Sequence, residues 1–222
     1  YVPCPIDKVV AVVPCDVTDK TRSLAAIDDD AKKMGENLVD FFNNEVKAGR
    51  LPKNLLPLQS GVGSVANAVI NGLVNSNFED LTVYTEVIQD GMFDLIDAGK
   101  LRVASGTALS PSPDCLKKFY ANLAKYKEHL ILRPQEIANN PEVARRIGVI
   151  AMNTAIECDI YGNVNSSHIC GTKLMNGIGG SCDFARSGFL SVFFTNSLAK
   201  KGAISSVVKF CSHIDHSEHD VS

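Results

Sequence analysis

The chain has 222 residues with a formal net charge of −3, 45% hydrophobic and 21% charged. That composition supports a buried core and excludes a mainly disordered chain. It also excludes a phosphate-backbone binder that needs a basic surplus, and no run of about 18 uncharged apolar residues exists to span a membrane.

From the N-terminus, the β-branched run Val9–Val13 predicts a short buried strand. Ala31, Met34, Leu38, Phe41 and Phe42 then recur at helical spacing behind Asp28, Asp29 and Asp30, with Gly49 closing the helix. Leu58 leads into the turn Ser60-Gly61-Val62-Gly63, and Val65, Val69 and Leu73 mark the face of a following helix. Strands are predicted at 81–85, 101–104 and 130–132, with helices at 92–96, 113–125 and 141–146 between and after them. This alternation predicts βαβ units about a largely parallel sheet. From residue 147 the pattern changes to strands at 149–152, 155–160 and 164–169, the last two joined by Tyr161-Gly162-Asn163. That predicts an antiparallel hairpin appended to the sheet, and one α/β/α domain overall.

The seven cysteines contain no Cys-x-x-Cys pair and read as buried free thiols of a reducing compartment. The chain starts at Tyr1 with no basic and then apolar leader, and stops without a helix-ending signal. It reads as part of something longer.

Four stretches carry groups suited to chemistry. In Ser60-Gly61-Val62-Gly63-Ser64-Val65, glycines let the backbone approach a ligand and the helix start offers N–H groups to an anion, although a plain tight turn fits equally. The third glycine of a dinucleotide fingerprint is missing. Glu86 follows a strand, where a carboxylate serves as nucleophile, general base, ribose-binding acid or ordinary surface residue. Asn176-Gly177-Ile178-Gly179-Gly180-Ser181 offers backbone N–H groups to a phosphate or an oxyanion, or is a flexible turn, with Asp183 and Arg186 spaced to pair behind it. The tail His213-Ile214-Asp215-His216-Ser217-Glu218-His219-Asp220 is rich in metal-type ligands, but strand alternation divides them between two faces, so no metal is expected.

Four motifs occur in order: Leu58-Gln59-Ser60-Gly61-Val62-Gly63, Tyr84-Thr85-Glu86-Val87-Ile88-Gln89-Asp90-Gly91, Leu132-Arg133-Pro134-Gln135-Glu136-Ile137 and Met175-Asn176-Gly177-Ile178-Gly179-Gly180. As an ensemble they resemble the acetyl-CoA hydrolase/transferase family. The resemblance implies a three-layer α/β/α CoA-transferase-like domain over residues 51–222, with residues 1–50 as an inter-domain lead-in of a longer two-domain protein. It implies that Glu86 is the nucleophile, forming a glutamyl-CoA thioester, and that Asn139 and the Gly180 N–H stabilise the oxyanion. It implies CoA contacts at Gly61, Val62, Gly63, Ser64, Val65, Asn176, Gly180 and Lys200.

The reaction implied is CoA transfer between acetyl-CoA or succinyl-CoA and a small carboxylate, with acetyl-CoA hydrolysis as the alternative when water is the acceptor. CoA is then a substrate, and no tightly bound cofactor is expected. Family members imply a homodimer when full length and a mitochondrial location, with the cytoplasm as alternative. The residues alone also admit a nicotinamide-dependent oxidoreductase using Gly61, Gly63 and Glu86, or an inactive CoA-binding fragment.

Overall fold

The structure is a computed structural model describing residues 4–17, 19, 21, 23 and 27–217. A 3₁₀ turn (Ile6–Lys8) precedes α1 (Asp29–Lys47), β1 (Leu58–Ser60), α2 (Ser64–Val74), β2 (Leu81–Tyr84), β3 (Val87–Ile88) and α3 (Asp90–Asp97). Then come β4 (Leu101–Gly106), β5 (Ala108–Leu109), α4 (Pro113–Ala121), α5 (Leu123–Tyr126), β6 (Leu130–Leu132), α6 (Gln135–Ala138) and α7 (Pro141–Ile147). The last third holds β7 (Ile150–Thr154), β8 (Glu157–Asp159), β9 (Val164–Asn165), β10 (His168–Ile169), β11 (Lys173–Leu174) and α8 (Ser181–Ala185). It closes with β12 (Leu190–Phe194), β13 (Leu198–Ala199), β14 (Ile204–Ser205) and β15 (Val207–Val208).

Six strands form one sheet in the order β12-β7-β1-β2-β4-β6, every pairing parallel. The chain starts at β1, steps outward through β2, β4 and β6, then returns to lay β7 and β12 on the opposite side of β1. That reversal makes β1 a topological switch point, and open parallel sheets bind ligands at the carboxyl ends of strands there. Side chains alternate across the sheet. Val83, Ile150 and Met152 join the larger core with Val69, Leu73, Met92 and Phe93 from α2 and α3. Tyr84, Val149 and Ala151 face the other way onto Ala144 and Phe184 from α7 and α8. Helices on both faces give the three layers.

Local signals set the helix ends. Asp28 caps α1 by accepting from Ala31 N at 2.8 Å, and Asn140 caps α7 with Pro141 at its first position. The predicted helix 113–125 is interrupted at Asn122, whose φ/ψ of −127°/31° leaves the helical region while its side chain donates to Lys118 O at 3.0 Å. Asparagine offers the backbone this alternative to helix continuation.

Two expectations need correction. Val9–Val13 forms no strand, and Val10, Val12 and Val13 are 99%, 82% and 80% exposed. A β-branched run becomes a buried strand only when a sheet edge accepts it, and no described strand pairs with this one. The hairpin 157–165 exists, but it sits in its own sheet, β15-β8-β9, and not on the edge of the central one. The returning strand breaks at Ser166-Ser167, after which β10 turns to pair with β11. The core also takes in α1, which lies before residue 51. Leu38 and Phe42 of α1 are buried in it, and α1 crosses α2 so closely that a Cβ on Gly72 would stand 3.2 Å from Gly35 Cα.

All seven cysteines are free thiols, but the expectation that they are buried fails: Cys4, Cys15 and Cys170 are exposed, Cys115, Cys158 and Cys182 are intermediate, and Cys211 alone is buried. No helix among the described residues is long and apolar enough to cross a membrane.

Candidate active site

A cleft of about 470 Å³ opens at the carboxyl ends of β1 and β7, at the switch point. The carboxyl ends of three strands converge on it. Ser60 ends β1, with Gly61 and Val62 after it, Glu86 follows β2, and Thr154 ends β7, with Ala155 and Ile156 after it. The glycine loop 175–181, which leads into α8, forms the opposite wall.

Glu86 is half-buried at the end of β2. Asn139, at the end of α6, donates from Nδ2 to Glu86 Oε2 at 2.9 Å. The same nitrogen lies 3.5 Å from Asp183 Oδ2 on α8, so one amide is shared by two carboxylates. Asn139 Oδ1 is buried without a hydrogen-bond partner. A buried orphan acceptor costs on the order of 1–3 kcal/mol. The amide therefore stands in an orientation chosen by the two carboxylates, since a flipped amide would turn its oxygen onto Glu86.

Gly180 closes the third side. A Cβ there would lie 2.2 Å from Glu86 Oε2 and 2.5 Å from Asn139 Nδ2, so glycine alone permits this approach. The constraint is space and not conformation, because Gly180 has φ −78° and the left-handed residue is Gly179 at φ +59°.

Buried polar side chains shape the cleft floor. Gln59 and Asn153 are 3% and 5% exposed and exchange reciprocal amide hydrogen bonds of 3.2 Å, with Met152 N donating to Gln59 Oε1 at 3.1 Å. Gln89 spans the glycine turn, donating to Gly61 O at 2.9 Å and accepting from Gly63 N at 3.2 Å. Thr85 Oγ1 donates to Ser60 O at 3.1 Å, which ties the Glu86 strand end to the same turn. Tyr84 OH donates to Ile137 O and so pins α6, which carries Asn139. Burial raises the Tyr84 phenol above its ordinary pKa, so it stays a donor. Next to Gly180, burial and then the Asp183 charge keep Cys182 a thiol.

The structure thus brings Glu86, Gly61, Val62, Asn176 and Gly180 to one cleft, with Asn139 joined through Glu86. Gly63 and Val65 stand one step behind and are not among its lining residues, and Ser64 opens α2 between them. Lys200 stands on the exposed connection between β13 and β14, outside the lining residues. Asp183 turns to Asn139, and Arg186 donates to Asp215 O at 3.3 Å. Among the described residues, no three His, Cys, Asp or Glu side chains are grouped to hold a metal, and 218–220 of the tail lie outside them.

Gln59 and Gln89 stand inside two of the quoted motifs without a role read for them, and Asp183 is expected to pair with Arg186 where it meets Asn139 instead. Asn153 lies in none of the motifs, and an uncharged amide at a strand end gives no pattern of its own.

Residues 116–222 match the acetyl-CoA hydrolase/transferase C-terminal domain. Over 221 residues the chain is 58% identical to a succinyl-CoA:acetate CoA-transferase of Clostridium kluyveri, covering 100% of this chain and 41% of that one. The chain belongs to the acetyl-CoA hydrolase/transferase family. A second family relative, an acetyl-CoA hydrolase of Neurospora crassa, is 46% identical over 224 residues, covering 99% of this chain and 43% of the relative. The chain therefore spans about two fifths of the length of these relatives. Its fold is also that of RipA from Yersinia pestis, with a TM-score of 0.68 at 21% identity over 88% of this chain and 42% of the other. Asn139, Asn176, Gly180 and Lys200 fall inside the matched family domain. Glu86 and the Gly61 turn lie before it, inside the stretch shared with the two relatives.

Proposed function

We propose that the protein carries CoA between an acyl-CoA and a small carboxylate, with Glu86 as the nucleophile. One observation carries this reading. A half-buried carboxylate stands at the switch-point cleft, met by an amide donor at 2.9 Å and by a glycine too close to bear a side chain.

A Glu86 carboxylate oxygen attacks the thioester carbon, and the C–S bond breaks to release CoA thiolate. The thiolate then attacks the Glu86 side-chain carbonyl of the mixed anhydride. This releases the first carboxylate and leaves a glutamyl-CoA thioester. An acceptor carboxylate reverses these steps and leaves with CoA, so no thioester energy is lost. Asn139 Nδ2 and the Gly180 N–H serve as donors to the oxygen that gains charge in each tetrahedral step. Gln89 and Thr85 hold the Gly61 turn in register with Glu86, and Gly61, Val62 and Asn176 receive the CoA arm.

Acetyl-CoA hydrolysis uses the same site with water attacking the glutamyl-CoA, and the relatives carry both names. A nicotinamide-dependent reading is disfavoured. A ribose-binding acid needs its oxygens open to a diol, whereas Glu86 Oε2 is taken by Asn139 and crowded by Gly180.

The test uses the complete enzyme with acetyl-CoA, with and without succinate, following free CoA and succinyl-CoA. Borohydride reduction after acetyl-CoA alone, followed by peptide mapping, should mark Glu86. A mark on another carboxylate, or none, rejects the nucleophile. Free CoA without succinyl-CoA selects hydrolysis.

A further inference from the structure

The histidine-rich tail holds a buried carboxylate that no step above uses. The Asp215 side chain is 8% exposed. Its Oδ2 accepts from Ser166 N at 2.7 Å and from Ser167 Oγ at 2.7 Å, and its Oδ1 lies 3.0 Å from His213 Nε2. Ser167 Oγ also lies 2.8 Å from His168 Nδ1, and the His168 and His213 rings lie 3.8 Å apart between centroids, tilted by 37°. Burial opposes the Asp215 charge, but the Ser167 hydroxyl, the Ser166 N–H and His213 together hold its pKa below the ordinary carboxylate range.

The residues it grips reach the cleft directly. Ser167 O accepts from Met175 N at 2.8 Å and from Asn176 N at 3.4 Å. Ser166 O accepts from Asn176 Nδ2 at 2.7 Å. Asn176 Nδ2 also reaches Gly177 O at 3.3 Å, so its hydrogens are directed at backbone carbonyls. Oδ1 is then the atom left for a ligand donor such as a pantetheine amide N–H. Ser166, Met175 and Asn176 all line the cleft. Ser166 and Ser167 interrupt the returning strand, and this break turns their carbonyls toward the 175–176 segment.

We propose that Asp215 is a positioning residue for CoA binding, fixing Ser166 and Ser167 so that their carbonyls hold Met175 and Asn176 at the cleft wall. The inference rests on the reading of Asn176 as a CoA contact. Asp215 touches no reacting atom, so its removal should weaken acyl-CoA binding and leave the covalent steps intact.

The experiment is a double-mutant cycle in the complete enzyme with Asp215→Asn, Asn176→Ala and both together. Asp215→Asn keeps the shape but replaces one acceptor oxygen by a donor. Circular dichroism first establishes folding, and if Asp215→Asn does not fold, Ser167→Ala takes its place because it removes only the hydroxyl. The expected result is a KM for acetyl-CoA raised about tenfold in each single variant, with kcat within about threefold and Glu86 still trapped by borohydride. In the double variant the KM should match that of Asn176→Ala alone, because coupled residues are not additive. Multiplying effects, or an unchanged KM in Asp215→Asn beside a raised one in Asn176→Ala, overturns the role of Asp215. An unchanged KM in Asn176→Ala overturns the CoA-contact reading on which the role depends.

Discussion

Asn139 Nδ2 lies 2.9 Å from Glu86 Oε2 and 3.5 Å from Asp183 Oδ2, joining three segments of the chain in one amide. The arrangement favours chemistry over stability, because it leaves the amide oxygen buried and unpartnered. Asp183→Asn removes one of the two charges that orient the amide. Its kcat should fall about tenfold while the fold is kept, and Asp183→Glu should recover part of the loss. Steady-state kinetics on both variants decide this, and unchanged kcat in Asp183→Asn would deny Asp183 any hold on Asn139.

Glu86→Gln should abolish turnover, because an amide is no nucleophile toward a thioester. Thermal unfolding should stay close to that of the parent, since Glu86 adds little apolar burial. Residual transfer above about one part in a thousand, with no deamidation detected by mass spectrometry, would remove Glu86 from the covalent role.

Gly180→Ala places a methyl group where the Glu86 and Asn139 side-chain ends now stand. Both are side-chain termini, so the fold yields and the carboxylate moves. A loss of kcat on the order of 10²–10³ is expected, as when an oxyanion donor is lost. Gly180→Pro also fits the observed φ of −78°, yet it adds a Cβ and deletes the N–H. The alanine and proline variants should therefore lie within about tenfold of each other. A large gap between them would mean that Glu86 makes room for the methyl group and that the N–H dominates.

Asp159 provides the pH-dependent prediction. Burial opposes its charge, but the Asn163 side chain and the Cys211, Asn163 and Tyr161 N–H groups outweigh it and lower its pKa to about 2. A carboxylate whose pKa falls on folding adds stability above its unfolded value of about 3.9, and the gain is lost as pH drops toward the folded value. The Tm difference between the parent and Asp159→Asn should be full at pH 5 and shrink between pH 4 and 2. A difference independent of pH would assign the Asp159 contribution to shape alone.

Phe42 tests the place of α1. It is fully buried and meets Phe78 edge-on at 6.3 Å. Phe42→Ala should cost about 3–5 kcal/mol in denaturant unfolding. A cost under about 1 kcal/mol would make α1 a loosely attached lead-in.

Much of this protein follows from local pattern. Asp28 ahead of an apolar stripe, Pro141 behind Asn140, and β-branched runs separated by helical periods specify elements through caps and alternation within a few residues. Glu86 and the Gly61 and Gly177–Gly180 loops were legible because strand ends and glycine turns mark ligand sites. What remained out of reach depends on partners far along the chain. Val9–Val13 has strand composition but pairs with no described strand, and only the assembled sheet decides that. Asn122 breaks a helix by a competition that periodicity does not register. The Asn139 amide meets carboxylates 53 and 44 residues away, and Asp215 grips a turn 48 residues before it. The sequence by itself determined the βαβ order and the residue types that the proposed CoA-transfer chemistry requires. The tertiary structure decided which of them meet, because a parallel sheet converges its strand ends at the one point where the order of strands reverses.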